Sequence, residues 1–438
     1  MDILVTGATV VTMDAARRVI EGGAVAIRGE RIVAVGKASD LSQQYRAARE
    51  ISAPGKLVLP GLINTHNHAA MVLFRGIADD LALMEWLQKF IFPAEARNVT
   101  ADFVEAGTAL ACLEMIQSGT TTYADMYYFE DHVAQSTDRA GMRGVLGETI
   151  IEFPAPDNKS ASAALDYTEK FIQRWKGNGR IIPAVAPHAP YTNSGEVLKS
   201  CKALADKYGV PMIIHVSETQ DEVKQVRQKY GMTSTGWLAQ LGVLGRGVVF
   251  NHGVWLTEED LAIIKDRGVS VTHNPESNMK LASGTAPVVR MLALGIPVGL
   301  GTDGAASNND LDMFEAMRFA ALLHKLNSMN PTTLPAESVV EMATLGGARA
   351  LGLQGEIGSL EPGKRADLIV IETDRAHAVP LYNVYSHVVY ALKASDVTTS
   401  IINGRLVMSE GRVLTLDEKQ IKQKAKEYRQ RILASLKQ

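Results

Sequence analysis

A (β/α)8 TIM-like barrel carrying a small β-sandwich domain built from both chain ends is the α/β fold predicted for this 438-residue sequence. Three observations lead there. Between Leu57 and Leu353, eight short apolar segments alternate with helical patterns. Strand-like texture precedes that stretch and returns after it. Histidines and an aspartate recur at or just past the ends of the apolar segments, and a barrel gathers its functional groups at that face. The length suits a barrel of roughly 250 residues plus an accessory domain.

The first 57 residues read as strands. Ile3 to Met13 is apolar and β-branched. Ala24-Val25-Ala26-Ile27 and Ile32-Val33-Ala34-Val35 flank Arg28-Gly29-Glu30-Arg31, a hairpin signal with glycine in the connection. Barrel strands then fall at 58–64, 120–123, 144–146, 181–186, 211–214, 248–250, 269–272 and 296–301, with helices between them at, for example, 101–117, 194–208, 258–266 and 310–326. These strands lack clean polar alternation, as expected of a parallel sheet covered on both faces. The first connection is the longest and is expected to cover the barrel mouth.

After Gly355 the β texture resumes. Ala366-Asp367-Leu368-Ile369-Val370-Ile371 is one strand, and 398–402 with 405–408 form a hairpin at Asn403-Gly404. The expected organisation is 1–57 as the first part of the β-sandwich, 58–357 as the barrel, 358–413 as the second part, and 414–438 as a C-terminal helix. On that helix Ile421, Ala425, Tyr428 and Ile432 make one apolar stripe that packs against the body of the protein or a second subunit.

Composition narrows the function classes. Hydrophobic residues at 46% and charged residues at 21% are those of an ordinary globular enzyme. A net charge of −3 leaves no basic footprint for nucleic acid and no polybasic membrane patch. Cys112 and Cys201 stand far apart, outside any C-x-x-C pattern, and read as buried apolar residues. The N-terminus has neither a basic n-region nor a long apolar h-region, and no run of about 18 apolar residues occurs. A cytoplasmic location is the default expectation.

His66-x-His68, at the end of Leu57-Val58-Leu59-Pro60-Gly61-Leu62-Ile63-Asn64-Thr65, is the feature with most chemistry in it. On a strand, i and i+2 face the same side, so the two imidazoles converge on one point. The fifth strand ends in Ile213-Ile214-His215 and the eighth in Gly301-Thr302-Asp303. Three imidazoles and one carboxylate suit Zn²⁺, and Fe²⁺ or Mn²⁺ equally, with a position left open for water. Glu218, three residues past His215, is the candidate acid for a leaving group. His252 ends the sixth strand, and Asp303 is placed to accept a proton from water.

Pro60 to His68, Ala186-Pro187-His188-Ala189-Pro190, His215-Val216-Ser217-Glu218, His273-Asn274-Pro275-Glu276-Ser277-Asn278 and Gly301-Thr302-Asp303-Gly304 together resemble the amidohydrolase superfamily. The chain is most similar to its methylthioadenosine/S-adenosylhomocysteine deaminase branch, and the likeness extends into Gly358 to Leu368. The resemblance implies one divalent metal, usually zinc, on His66, His68, His215 and Asp303. It implies Glu218 protonating a purine ring nitrogen, His252 orienting the attacking hydroxide, and Asp303 passing its proton to the departing amine. His188 stands on the fourth strand, where binuclear members carry a carboxylated lysine, which implies a single metal.

In that branch the glutamate of a Pro-x-Glu segment contacts the ribose hydroxyls, and Pro93-Ala94-Glu95 matches it. His188 is similar to a substrate-contacting histidine, and Trp86 walls the base or packs. After the third strand, Gly147-Glu148-Thr149 stands where S-adenosylhomocysteine-active relatives carry an arginine. A carboxylate there would repel the amino-acid tail. The implied activity is deamination at the 6-amino group of an adenosine derivative (5′-methylthioadenosine, 5′-deoxyadenosine or adenosine), with S-adenosylhomocysteine disfavoured. Two rivals stay open: the same machinery acting on guanine, a pterin or a chlorotriazine, and a non-catalytic relative serving as a binding subunit. The partner expected is a small nucleoside, with no nucleic acid and no membrane, and a homo-oligomer is left open.

Overall fold

The computed structural model describes residues 1–436. Five strands open the chain: β1 (Ile3–Val11), β2 (Val19–Arg28), β3 (Arg31–Lys37), β4 (Arg49–Ser52) and β5 (Leu57–Pro60). The expected hairpin joins β2 and β3, with Arg28 opposite Arg31 and Gly29 at φ 56° in the turn.

Eight parallel strands follow in one sheet and in chain order: β6 (Leu62–Asn67), β7 (Thr120–Tyr127), β8 (Arg143–Ile150), β9 (Ile181–Pro187), β10 (Met212–Val216), β11 (Val248–His252), β12 (Ser270–His273) and β13 (Val298–Leu300). The side chain of Thr65 on β6 donates to the Leu300 carbonyl of β13 at 2.9 Å, so the two edges meet and the barrel is nearly closed. Just past β13 the close approach requires glycine. A Cβ at Gly301 would lie 2.4 Å from Asn274 Oδ1 and 2.9 Å from the His66 nitrogen.

Four strands return near the end: β14 (Leu368–Ile371), β15 (Val397–Ile402), β16 (Arg405–Ser409) and β17 (Arg412–Val413). They continue the first sheet in the order β17-β16-β15-β14-β5-β1-β2-β3, with β4 also on β1. One sheet built from both chain ends thus folds over an apolar core that includes Val5, Val25, Val58, Leu368 and Ile401. Its far edge bends back, since Ala366 donates to the Glu30 carbonyl at 2.8 Å. The β15–β16 turn has Asn403 and Gly404 both at positive φ, the geometry that its Asn-Gly pair favours.

The segment expected as one strand over 58–64 is two. β5 pairs with β1 and β14 in the end sheet, while β6 belongs to the barrel. Gly61 is the crossing point: its nitrogen donates to Asp367, and that of Leu62 donates to Gly119. A Cβ at Gly61 would fall 2.1 Å from Thr121 Oγ1, so only glycine fits the step. Across the same junction a buried Arg143–Asp367 ion pair joins barrel to end sheet, and Arg143 also donates to Asn403.

The helix Ala101–Gln117 has the expected bounds. The helix expected over 310–326 is Met313–Ser328, because Asp312 caps it by accepting from Phe314 and Glu315. The C-terminal helix Glu418–Ser435 buries Tyr428 and Ile432, and the Tyr428 ring meets Phe103 edge-on at 5.4 Å. Among the described residues no helix is long and apolar enough to cross a membrane.

Candidate active site

Every candidate ligand sits at or just beyond the C-terminal end of a barrel strand. His66 lies in β6 and His68 immediately after it, their rings 4.8 Å apart. His215 on β10 is 4.9 Å from the His66 ring. Asp303 follows β13, with Oδ1 3.4 Å from His66 Nε2 and 3.3 Å from His68 Nε2. His66, His68 and Asp303 form one group of converging donor atoms, and His66, His215 and His252 form another.

Hydrogen bonds at the outer nitrogens prepare these imidazoles for a cation. His68 Nδ1 lies 2.6 Å from the Met126 carbonyl and His215 Nδ1 lies 2.8 Å from that of His188. A carbonyl only accepts, so each Nδ1 carries the proton and each Nε2 presents a lone pair. His66 Nε2 is buried with no hydrogen-bond partner among the described residues. A buried orphan beside a carboxylate and two oriented imidazoles fits a divalent metal. Burial works to raise Asp303, but the His66 and His68 imidazoles facing it hold its carboxyl well below the usual carboxylate range.

Around this floor stand the proton-transfer candidates. Glu218, past β10, is buried, and burial raises its carboxyl above the ordinary value. Its loop is braced by Glu222, which accepts from the Ser217 nitrogen at 2.8 Å and the Glu218 nitrogen at 2.7 Å. His252 Nε2 lies 4.0 Å from Glu218 Oε1 and 3.9 Å from Asp303 Oδ2, and its Nδ1 meets Asn278 Oδ1 at 3.0 Å. Ser217, His252 and Asp303 all take positive φ, at 55°, 71° and 64°. Such strain in non-glycine residues is held only where surrounding contacts over-determine it, and it clusters at functional sites.

The cavity above carries the other predicted residues. His68, Glu95, His188, His215, Glu218, His252 and Asp303 line it, and Trp86 walls it. The long first connection covers it as expected, through Leu83, Leu87, Ile91 and Phe92. Glu95 is buried, which pushes its carboxyl up to about 7 against a hydrogen bond from Tyr127. Burial, followed by His68 and His66, takes His188 down to about 3, so it is a neutral imidazole.

The model of the amidohydrolase family matches residues 57–407, and that of a bacterial imidazolonepropionase-like composite domain matches 23–48. The chain belongs to the amidohydrolase family. A 5-methylthioadenosine/S-adenosylhomocysteine deaminase of Syntrophobacter fumaroxidans is 51% identical over 97% of each chain. A 5′-deoxyadenosine deaminase of Methanosarcina mazei is 45% identical, covering 99% of each. The crystal structure of an adenosine deaminase from Xanthomonas campestris with bound zinc superposes with a TM-score of 0.97 at 38% identity, covering 99% of each chain. The donor set of this amidohydrolase and the zinc in that relative agree on a metal cofactor.

One expectation is corrected. Glu148 does not face the cavity of this amidohydrolase; Thr149 does. Successive residues on a strand point to opposite faces, so the Glu148 carboxylate lies behind β8. There it accepts from Asn158 at 2.9 Å and from the Glu130 nitrogen at 3.1 Å. It has no route to a substrate tail. Sequence reasoning also missed Tyr127, Tyr191, Ser277, Asn278 and Ser307. Ser277 and Asn278 stood inside the quoted His273–Asn278 motif, which was the one available signal for them.

Proposed function

We propose that this enzyme is a metal-dependent hydrolytic deaminase of adenosine derivatives, with 5′-methylthioadenosine, 5′-deoxyadenosine and adenosine as the preferred class. Water and the nucleoside give the 6-oxo product and ammonia. One observation carries the reading: a metal-type donor floor and a buried carboxylate, Glu95, line the same cavity, with Glu218 and His252 beside the floor. A carboxylate accepts two vicinal hydroxyls, which a ribose offers and a free base does not.

His66, His68, His215 and Asp303 would hold one cation, zinc in this reading. Such an ion, when bound, makes hydroxide available at neutral pH. Glu218, whose carboxyl burial raises above the ordinary value, donates to ring nitrogen N1 and so makes C6 electrophilic. Asp303 takes one proton of the attacking water and returns it to the amine as ammonia leaves, and the second proton of that water restores the acid form of Glu218. His252, steadied by Asn278, orients that water between Glu218 and Asp303. His188, neutral, hydrogen-bonds the purine or the sugar.

The test is a substrate panel followed by the loss of adenine absorbance, with Glu218→Gln as control. Turnover of the short-tailed nucleosides, with kcat lowered by roughly 10²–10⁴ in the variant at unchanged metal content, is expected. Turnover of guanine, a pterin or a chlorotriazine alone would sink the reading.

A further inference from the structure

The ends of this cavity are gripped by two consecutive residues of one strand. Met126 and Tyr127 close β7. The Met126 carbonyl bonds His68 Nδ1 at 2.6 Å, in the floor. The Tyr127 hydroxyl donates to Glu95 Oε1 at 2.8 Å, in the cover. Both Tyr127 and Glu95 are buried. The cover segment 83–98 is otherwise anchored away from the barrel: Arg97 donates to the Ser435 carbonyl and Asn98 to the Ser435 hydroxyl, on the C-terminal helix. Among the described residues, Tyr127–Glu95 is the hydrogen bond recorded between this cover and a barrel strand.

Tyr127 is itself rigidly placed. Its nitrogen donates to Glu130 Oε1 at 3.0 Å, and its ring packs 4.9 Å from that of Tyr128. Burial, then the nearby Glu95, pushes its phenol well above the ordinary value, so it is a permanent donor toward that carboxylate. Among the described residues Glu95 Oε2 has no hydrogen-bond partner, and it is left for a ligand. A backbone step of one residue therefore sets the distance between the sugar carboxylate and the imidazole cluster.

We propose that Tyr127 is a positioning residue: its hydroxyl holds Glu95 at the register that seats a ribose with its base over the hydrolytic centre. The inference rests on the reading of Glu95 as a ribose contact. A bond to a buried charged group is strong, and its loss frees a side chain that the cover segment, not the barrel, carries.

The experiment compares adenosine with 2′,3′-dideoxyadenosine on wild type, Tyr127→Phe, Glu95→Gln and the double variant, all metal-loaded. Wild type should prefer adenosine by roughly tenfold to a hundredfold in kcat/KM, the size expected of hydrogen bonds to a charged group. Tyr127→Phe keeps the ring packing, so it should raise the KM for adenosine and collapse the preference over the dideoxy substrate. The double variant should lose no more than Glu95→Gln alone, since the two residues act as one unit. A wild-type preference retained in Tyr127→Phe, or losses that add in the double variant, would overturn the role of Tyr127. Absence of any preference in wild type would overturn the ribose contact and the inference with it.

Discussion

The hydroxyl of Ser277 lies 2.6 Å from Asp303 Oδ2, and Ser307 donates to the same oxygen at 2.9 Å. Oδ1 accepts from the Gly304 nitrogen at 2.8 Å and faces His66 and His68. Asp303 is thus fixed on both oxygens before any ligand arrives. Ser277→Ala should lower metal affinity or kcat/KM by about 10- to 100-fold, the usual cost of removing an outer partner of a metal-site carboxylate. Chelator competition and steady-state kinetics read this, and an unchanged pair of values would show that Ser307 alone suffices.

Metal removal should abolish deamination and destabilise the fold together. His66 Nε2 is buried without a hydrogen bond among the described residues, and Asp303 is buried beside it, an arrangement that a cation would complete. A metal at a thousand times its Kd stabilises the native state by about 4 kcal/mol. Dialysis against a chelator should lower Tm, and zinc should restore both Tm and turnover. A chelated enzyme with the original Tm would show that these groups are satisfied in some other way.

Most of the fold was legible in the sequence because barrel strands buried on both faces are continuous apolar runs, bounded by helices with capping residues such as Thr100 and Ser194. The candidate site was legible because strand ends carry it: His66, His215 and Asp303 each terminate such a run. Pairing was not legible. The run from Leu57 to Asn64 looks like one strand, and only the end-sheet partner Leu368–Ile371, far off in sequence, takes its first half away. The direction of Glu148 was not legible either, since it depends on strand register rather than on residue type. Tyr127 carries no sequence signal, because its partner lies on the cover segment, not on a neighbouring strand.

Stability should fall as pH rises, through a buried carboxyl pair outside the cavity. Burial first, then the adjoining Asp125, push Glu130 well above the usual carboxylate range. In the unfolded chain it ionises near about 4.3. Above that pH the unfolded state binds fewer protons than the folded one, so stability declines until the folded group also ionises. Glu130→Gln mimics the protonated acid: its oxygen can accept from the Tyr127 nitrogen while its amide donates toward Asp125 Oδ2, which has no hydrogen-bond partner among the described residues. Urea unfolding should give the variant near-parity at pH 4 and greater stability than wild type at pH 8. A constant difference between the two proteins across that range would contradict this role of the Glu130 carboxyl.

The length of the 5′ tail that this enzyme accepts should be limited by charge rather than by Glu148. The cavity is lined by the acids Glu95, Glu218 and Asp303 and by apolar and aromatic groups including Trp86, Phe92, Tyr128 and Tyr191, with no lysine or arginine among its lining residues. The tail of S-adenosylhomocysteine ends in an ammonium and a carboxylate, and the carboxylate would enter this lining without a protein cation to pair with, which is costly to desolvate. A methylthio group pays no such penalty and gains from apolar contact. kcat/KM for methylthioadenosine should therefore exceed that for S-adenosylhomocysteine by at least about tenfold, which corresponds to about 1.4 kcal/mol. Because Glu148 lies behind β8, Glu148→Gln should leave this ratio unchanged. A ratio near one in wild type would place the tail outside the cavity, whereas a ratio that shifts in Glu148→Gln would return that carboxylate to the substrate path.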